Sequence, residues 1–104
     1  MNRGEVWWAN LPAPMGRRPV LLVSRDRAIK VRNSVTVAQV TTTIRRIPTE
    51  VLLGEEDGMP RSCAINADVL LTVPKDLLSS RLCILSLEKM SSVGQALRFA
   101  LGLD

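Results

Sequence analysis

Histidine is absent from this sequence, and the only two cysteines, Cys63 and Cys83, each lie among apolar residues. Two thiols without an imidazole cannot complete the four-ligand site that zinc requires. The same absence argues against a catalytic thiolate, because no imidazole is available to activate the sulfur. We therefore expect two buried free thiols rather than a disulfide, and no zinc site.

Aromatic residues and long apolar runs are also scarce. The only aromatics are Trp7, Trp8 and Phe99, although hydrophobic residues make up 46% of the 104 residues. This composition predicts one domain, residues 1–104, with a mainly aliphatic core. No apolar run approaches the roughly 20 residues of a membrane-spanning helix, and no apolar signal segment opens the chain. These absences predict a cytoplasmic protein that does not enter a membrane.

Charge is distributed unevenly along the chain. Residues 1–52 contain nine Lys and Arg against three acids, a balance of +6, whereas residues 53–104 contain five against seven, a balance of −2. Eight of the nine basic residues fall in three short stretches, 17–18, 25–32 and 45–46. This asymmetry favours a polyanionic partner, and the alternative is a basic surface that serves only solubility.

Apolar and β-branched segments separated by turn residues predict a mainly β fold of five to seven short antiparallel strands. Strand alternation places Trp7 and Trp8 on opposite faces of the first strand. The basic segment 25–33 is expected to be a loop. The predicted strands are 4–11, 19–24, 35–43, 47–53, 62–66, 69–73 and 81–85.

Only the end of the chain predicts a helix. Ser86 is a suitable N-cap and Gly102 a suitable C-terminal cap. Apolar residues at helical spacing predict one face that packs on the sheet. These residues are Leu87, Met90, Val93, Gly94, Leu97 and Leu101.

The most informative segment is 16–24, where two arginines precede a proline and a strongly apolar strand. Because proline fixes φ and cannot donate a ladder hydrogen bond, Pro19 is expected at the first position of that strand. Arg18 is then the last loop residue, held by a rigid element that presents its guanidinium to an anion. The alternative is that Arg17 and Arg18 form a solvated rim.

The order of these segments resembles the MazF/PemK family of toxin endoribonucleases. The similarity begins with Arg-Gly-Glu-Val-Trp-Trp-Ala-Asn-Leu-Pro at 3–12 and continues with Arg-Pro-Val-Leu-Leu-Val-Ser-Arg-Asp at 18–26. Other similar segments are the threonine-ended strand at 35–43, the stretch 60–68 followed by 71–75, and the terminal helix at 96–103. The resemblance covers nearly the whole chain, and its specificity lies in the order and spacing of the segments.

The resemblance implies an SH3-like barrel that forms a homodimer, cleaves single-stranded RNA without a metal, and is inhibited by a MazE-like antitoxin. It also implies two catalytic residues: Arg18, which precedes the proline, and Thr41, which ends the apolar stretch of the third strand. The predicted RNA contacts flank these two residues or lie on the later strands. They are Gly16, Arg17, Thr42, Thr43, Arg45, Arg46, Asn66 and Asp68.

RNA carries its own nucleophile, the 2′-OH, so cleavage requires its orientation and stabilisation of the charge that develops on the phosphorane. Arg18 suits the second task, because a planar guanidinium pairs with two phosphate oxygens. Thr41 can hydrogen-bond the same phosphate or the 2′-OH. Arginine is a poor acid–base catalyst at neutral pH, so its expected role is chiefly electrostatic, with proton donation to the leaving oxygen as an alternative. The expected products have 2′,3′-cyclic phosphate and 5′-OH ends.

Structural alternatives exist for several predicted RNA contacts. Trp7 either stacks on a base or is partly buried in the sheet. Arg45 and Arg46 either follow the RNA backbone or cap a hairpin. Asn66 and Asp68 either read base edges or form a turn at a strand end.

One departure from the family concerns the first loop. Family members usually carry a longer loop with an acidic residue, whereas no acid lies between Glu5 and Asp26 here. A loop carboxylate is therefore not expected to contribute, and the family's cleavage sequences do not transfer. The alternative functions are a passive RNA-binding module and a non-catalytic toxin similar to CcdB. CcdB toxins rely on a tryptophan-containing C-terminal tail, which the ending Leu-Gly-Leu-Asp does not match.

Overall fold

The computed structural model describes residues 1–103, which form six strands, two helices and two single 3₁₀ turns, at Glu55–Asp57 and Lys75–Leu77. No helix in this range is long and apolar enough to cross a membrane. The strands are β1 (Glu5–Asn10), β2 (Arg17–Leu22), β3 (Ser34–Thr41), β4 (Glu50–Leu53), β5 (Cys63–Pro74) and β6 (Leu78–Ile84). The helices are α1 (Asp26–Val31) and α2 (Leu87–Leu101).

All six strands belong to one sheet in the order β4-β5-β3-β2-β1-β6, and every neighbouring pair is antiparallel. The sheet curls into a half-barrel, with β4 and β6 as its edges within residues 1–103. This arrangement confirms the predicted class, a mainly β fold with a C-terminal helix and five to seven strands.

Strand alternation sends apolar side chains into two separate cores. Leu21 of β2 and Val40 of β3 belong to the first, which α2 covers and which we call the α2 core. Leu22, the next residue of β2, and Val37, three residues before Val40 on β3, belong to the second, which contains Ile29 of α1 and which we call the α1 core. β2 and β3 therefore each carry one row of side chains to each core.

The predicted loop at 25–33 is wrong, because residues 26–31 form helix α1. Its Ala28 and Ile29 are buried. The Lys75 ammonium, far along the chain, donates to the carbonyl oxygens of Ile29 and Arg32 at the helix end. These tertiary contacts stabilise a helix too short to form alone, so local sequence could not reveal it.

Other predicted strand boundaries also change, and β3 ends at Thr41 rather than at residue 43. The expected strands at 62–66 and 69–73 are one strand, β5, interrupted by a bulge opposite Ala38 and Gln39 of β3. β4 begins at Glu50 rather than at residue 47, because the Glu50 N–H donates to the Ile47 carbonyl in a turn, at 2.9 Å. β6 begins at Leu78, earlier than expected.

Pro19 is the third residue of β2 rather than the first, so the expectation that Arg18 ends a loop is wrong. Proline is tolerated there because β2 pairs with β3 only from Val20 onward, so its missing N–H costs no hydrogen bond to β3. On the other side, β2 pairs with β1 from Arg17 to Leu21. Arg18 is thus fixed by the sheet itself.

Helix α2 begins and ends where the sequence predicts. The Ser86 side chain accepts the N–H of Lys89, and Gly102 adopts a left-handed conformation with φ of +65°. The predicted apolar stripe is only partly correct. Val93 and Ala96 are buried, whereas Leu87 is 91% exposed. The helix therefore packs through its middle, and its first residue projects away from the sheet.

Candidate functional site

Arg18 and Thr41 lie on neighbouring strands, just beyond the last pair of the β2–β3 ladder. That pair is Val20 with Gln39, and Arg18 and Thr41 each lie two residues further along their strand. A two-residue step keeps side chains on one face of a strand, so both residues lie on the same face. They also line one open cavity of about 330 Å³, which we call the Arg18 cavity. The structure therefore brings together the two residues that the sequence singled out as catalytic.

The Arg18 side chain is held in place through one of its nitrogens. Its Nε donates to the carbonyl oxygen of Met15 at 2.8 Å. The loop that carries Met15 is closed by two backbone hydrogen bonds, Met15 to Pro12 and Leu11 to Gly16, both 3.1 Å. Within residues 1–103, the terminal guanidinium nitrogens have no hydrogen bond or ion pair. They are available to pair with two oxygens of an anion.

Thr41 has an oriented hydroxyl at the end of β3. Its Oγ1 accepts the backbone N–H of Thr43 at 3.1 Å. A hydroxyl that accepts in this way still has its own hydrogen to donate. Thr42 and Thr43 are exposed and line the same cavity. The cavity thus presents a half-buried guanidinium and a hydroxyl donor side by side.

Positive charge dominates the Arg18 cavity. Besides Arg18 it is lined by Arg17, whose guanidinium lies 4.1 Å from the ring centroid of Trp8. Contact with an indole face orients an arginine without neutralising its charge. The other lining residues are Met15, Pro19, Val40 and the three threonines, so no carboxylate contributes to the wall. Such a site suits an anion.

An apolar cavity of about 290 Å³ adjoins this site on the other side of Pro19 and Val40. Trp8, Met59 and Cys63 form much of its wall, and it shares Thr41 and Thr42 with the Arg18 cavity. Its complete lining is Trp8, Pro19, Val40, Thr41, Thr42, Met59, Pro60, Arg61 and Cys63. Apart from its aromatic character, nothing in the sequence marks Trp8 as functional, because only the fold shows that its ring lines a cavity.

Both cysteines are free, as predicted. Burial raises the pKa of the Cys63 thiol, and the nearby Cys83 and Asp57 raise it further. Burial likewise raises the pKa of Cys83, with Asp57 as the second cause. Both sulfurs are therefore protonated at neutral pH and serve as apolar wall or core atoms. Residues 1–103 also contain no group of three or more His, Cys, Asp or Glu side chains that could hold a metal ion.

Trp7 is partly buried in the sheet, which was one of its two predicted alternatives. Its Nε1 donates to Glu5 Oε1 at 2.8 Å, and its ring packs against the α1 core. Glu5 is 4% exposed and also lies 3.8 Å from the Arg81 guanidinium. Trp8, not Trp7, is the indole beside the cavities.

Arg45 and Arg46 lie in the loop between β3 and β4, which Glu50 organises. Glu50 Oε1 accepts the backbone N–H groups of Arg45 and Arg46, at 2.8 and 3.0 Å. Arg46 adopts a left-handed conformation with φ of +56°. Its side chain lines a separate cavity that also contains Glu55 and Glu56. Neither arginine lines the Arg18 cavity.

Asn66 and Asp68 lie at the bulge of β5. Asn66 Oδ1 accepts the backbone N–H of Asp68 at 2.9 Å. The predicted turn at a strand end is wrong, because both residues lie within β5. Asn66 also pairs with Gln39 of β3, two residues before Thr41. Gln39 was not among the predicted site residues, although a polar residue in an apolar strand, on the same face as Thr41, is the signal that points to it.

Comparison with known proteins identifies the family. The model for PemK-like, MazF-like toxins of type II toxin–antitoxin systems matches residues 2–101. The chain belongs to the PemK/MazF toxin family. It is 42% identical over 99 residues to the probable endoribonuclease MazF5 of Mycobacterium tuberculosis, covering 94% of this chain and 90% of that protein. It is 34% identical over 103 residues to the probable endoribonuclease MazF2 of the same species, covering 98% of this chain and 99% of that protein.

Solved structures of PemK/MazF proteins share the fold along their whole length. A mycobacterial endoribonuclease in complex with its cognate antitoxin has a TM-score of 0.89 and 33% identity, covering 100% of this chain and 97% of that one. The toxin MazF-mt6 of M. tuberculosis has a TM-score of 0.88 and 28% identity, covering 96% and 98%. These comparisons confirm the resemblance and the fold class. The roles of individual residues stay predictions.

Proposed function

We propose that this PemK/MazF protein is an endoribonuclease that cleaves single-stranded RNA at the Arg18 cavity. The observation that carries the proposal is that Arg18 of β2 and Thr41 of β3 line one open, carboxylate-free cavity. The endoribonuclease names of its relatives support the choice of substrate. Cleavage uses the 2′-OH as nucleophile and leaves 2′,3′-cyclic phosphate and 5′-OH ends.

In this proposal Arg18 stabilises the phosphorane. With Nε fixed on the Met15 carbonyl, its terminal nitrogens point two N–H donors at the non-bridging oxygens. Donors that are already in place when negative charge develops lower the barrier most, because no reorganisation is then needed. Thr41 donates its hydroxyl hydrogen to the same phosphate, and the Thr43 N–H fixes the position of that oxygen.

Orientation of the 2′-OH is the second contribution. Holding an internal nucleophile in line with the phosphorus can supply roughly 7–11 kcal/mol in favourable cases. Arg17 and the exposed Thr42 and Thr43 line the cavity and are proposed to hold the flanking phosphates. No carboxylate of the wall can act as a general base, so we propose that catalysis is chiefly electrostatic and needs neither a metal nor a cofactor.

The deciding experiment incubates the purified protein with a long single-stranded RNA in excess EDTA and sequences the fragment ends. We expect discrete fragments with cyclic phosphate ends, and no fragments from the Arg18→Ala variant. RNA that is bound but left intact would indicate a passive RNA-binding module. If the purified protein neither binds nor cleaves RNA, but its expression in cells arrests growth, a non-catalytic toxin similar to CcdB would be indicated.

We also propose that the active form is a homodimer located in the cytoplasm. A chain of 11.5 kDa offers only a shallow groove, and a two-fold interface would join two basic edges into one channel. Light scattering at micromolar concentration tests this proposal. Full activity in a sample that is entirely monomeric would contradict it.

The inhibitor is proposed to be an acidic antitoxin segment that folds across the basic face, by which we mean the surface that carries Arg17, Arg45 and Arg46. A related endoribonuclease is known in complex with its cognate antitoxin, and residues 1–52 carry a balance of +6 here. Association should slow steeply with salt, because the attraction is screened over about 10 Å at 0.1 M. If charge reversal at Arg17, Arg45 and Arg46 abolishes cleavage but leaves antitoxin affinity unchanged, the two ligands do not share this face.

A further inference from the structure

A row of three polar side chains crosses the sheet beside the Arg18 cavity. Gln39 of β3 pairs with Asn66 of β5, and Asn66 pairs with Glu50 of β4. Paired residues project to the same face, with Cβ atoms about 4.5–5.5 Å apart. Gln39 precedes Thr41 by two residues, a step of about 7 Å along the strand. The row therefore lies next to the proposed phosphate site and on the same face.

The amides of this row have unused hydrogen-bonding groups. Gln39 is half-buried, yet its side chain has no hydrogen bond to any part of the chain that the structure describes. Asn66 uses its oxygen to accept the Asp68 N–H, and its NH₂ group has no partner among residues 1–103. Amides with a purely structural role usually find protein partners when water is partly excluded. Here one carbonyl and two NH₂ groups remain available.

We propose that Gln39 and Asn66 form a subsite that reads the edge of one nucleobase next to the cleaved phosphodiester. The inference rests on the proposed function and adds a specificity determinant to it. Proteins that recognise RNA sequence hydrogen-bond the exposed edges of unpaired bases, and Gln and Asn are suited because each amide offers a donor and an acceptor. The Asp68 N–H fixes the orientation of the Asn66 amide, so that Asn66 presents donors and selects a base with an acceptor.

The position of Gln39 within its strand favours reading over catalysis. Val37, the preceding residue on this face, is fully buried in the α1 core, and Thr41, the following one, lines the Arg18 cavity. Gln39 thus lies on the strand between a fully buried core residue and a residue of the Arg18 cavity. A side chain held in this way can discriminate between bases without moving.

The test measures cleavage of a single-stranded RNA pool randomised around the site, by wild type, Gln39→Ala and Gln39→Glu. The matched control is Gln95→Ala, an exposed glutamine on α2. We expect Gln39→Ala to lower discrimination about 5- to 100-fold at a single nucleotide position. The base preferences of this variant at the other positions should persist, and it should still cleave the randomised RNA pool. Gln39→Glu, which replaces the amide donor by an acceptor, should change which base is preferred at that position.

A second measurement separates this inference from the proposed function. Equilibrium binding of 2′-O-methylated RNA oligonucleotides, varied one base at a time, needs no cleavage. A single-position preference that Gln39→Ala removes supports the subsite, even if the wild-type protein turns out not to cleave. The proposed subsite would be overturned if Gln39→Ala kept the wild-type base preference at every position. It would also be overturned if the folded variant lost affinity equally for all bases at all positions.

Discussion

The two ends of the β2–β3 pair use the same strands and the same face for opposite purposes. At one end Leu22 and Val37 are 0% exposed and lie in the α1 core. At the other end Arg18 and Thr41 remain half-exposed and line a cavity. The two ends differ in what covers them: α1 packs at the first end, whereas the second is bordered by the short loop that carries Met15 and by Thr42 and Thr43 after β3. A site thus arises where a rigid sheet extends beyond its core.

This comparison separates stability from activity. The buried side chains at the Leu22 end hold β2 and β3 in register. This register also positions Arg18 and Thr41, although these two residues bury little apolar surface themselves. Rigid backing of this kind is what an electrostatic catalyst requires, because donors must not reorganise during the reaction. Substitutions at the two ends should therefore affect different measurements.

Arg18→Ala should have the largest effect on cleavage. Loss of a preorganised donor lowers turnover by about 10²–10³-fold or more, while the midpoint of thermal unfolding should hardly change. Arg18→Lys should also be severely impaired, since a point charge lacks the two-pronged geometry. Single-turnover cleavage and circular dichroism of both variants provide the measurement. Near-normal rates would place the active site elsewhere.

Leu22→Ala should have the opposite effect, a large loss of stability with little change in cleavage. Removing a fully buried leucine costs about 2–5 kcal/mol of the free energy of unfolding. Under conditions where the variant is still folded, cleavage per folded molecule should stay close to wild type. Urea unfolding combined with activity at low temperature tests this expectation. A folded variant that has lost its activity would mean that the two ends are coupled.

The sequence predicted the Arg18 end better than the rest of the site. The threonine triplet is a local signal at the end of β3, whereas Pro19 lies inside β2, and the family resemblance selected Arg18 and Thr41. The presence of these two residues in one cavity depends on the pairing of β2 with β3, which a single sequence does not contain. Their predicted roles remain to be tested.

Features built from distant contacts could not be predicted. Helix α1 depends on Lys75, and the continuity of β5 depends on a bulge opposite β3. For the same reason Arg46, which is basic and close to Thr41 in sequence, lines a different cavity with Glu55 and Glu56. Hydrophobic periodicity carries no information about such pairings.

Thr41→Ala should lower turnover more than Thr42→Ala, by about tenfold, because Thr41 ends β3 with its hydroxyl held by the Thr43 N–H, whereas Thr42 follows the strand and is exposed. Thr41→Ser keeps the hydroxyl and should restore most of the activity. Initial rates with one RNA substrate allow the three variants to be compared. Equal and mild losses at both positions would reduce the triplet to a structural role.

The smallest expected effect concerns the exposed arginines, and it tests whether the charged face is confined to one end of the β2–β3 pair. Arg17 lines the Arg18 cavity, Arg46 shares a cavity with two carboxylates, and Arg27 lies on α1 at the buried end. Each phosphate contact with a single strand contributes about 0.7 to the slope of log K against log salt. Arg17→Gln should therefore reduce the slope for RNA binding by about 0.7, Arg46→Gln by less, and the control Arg27→Gln by nothing measurable. Fluorescence anisotropy between 50 and 200 mM salt, about the range over which such slopes are resolved, supplies the three values. Equal slopes for all three variants would mean that RNA is attracted by overall charge and not by the Arg18 end.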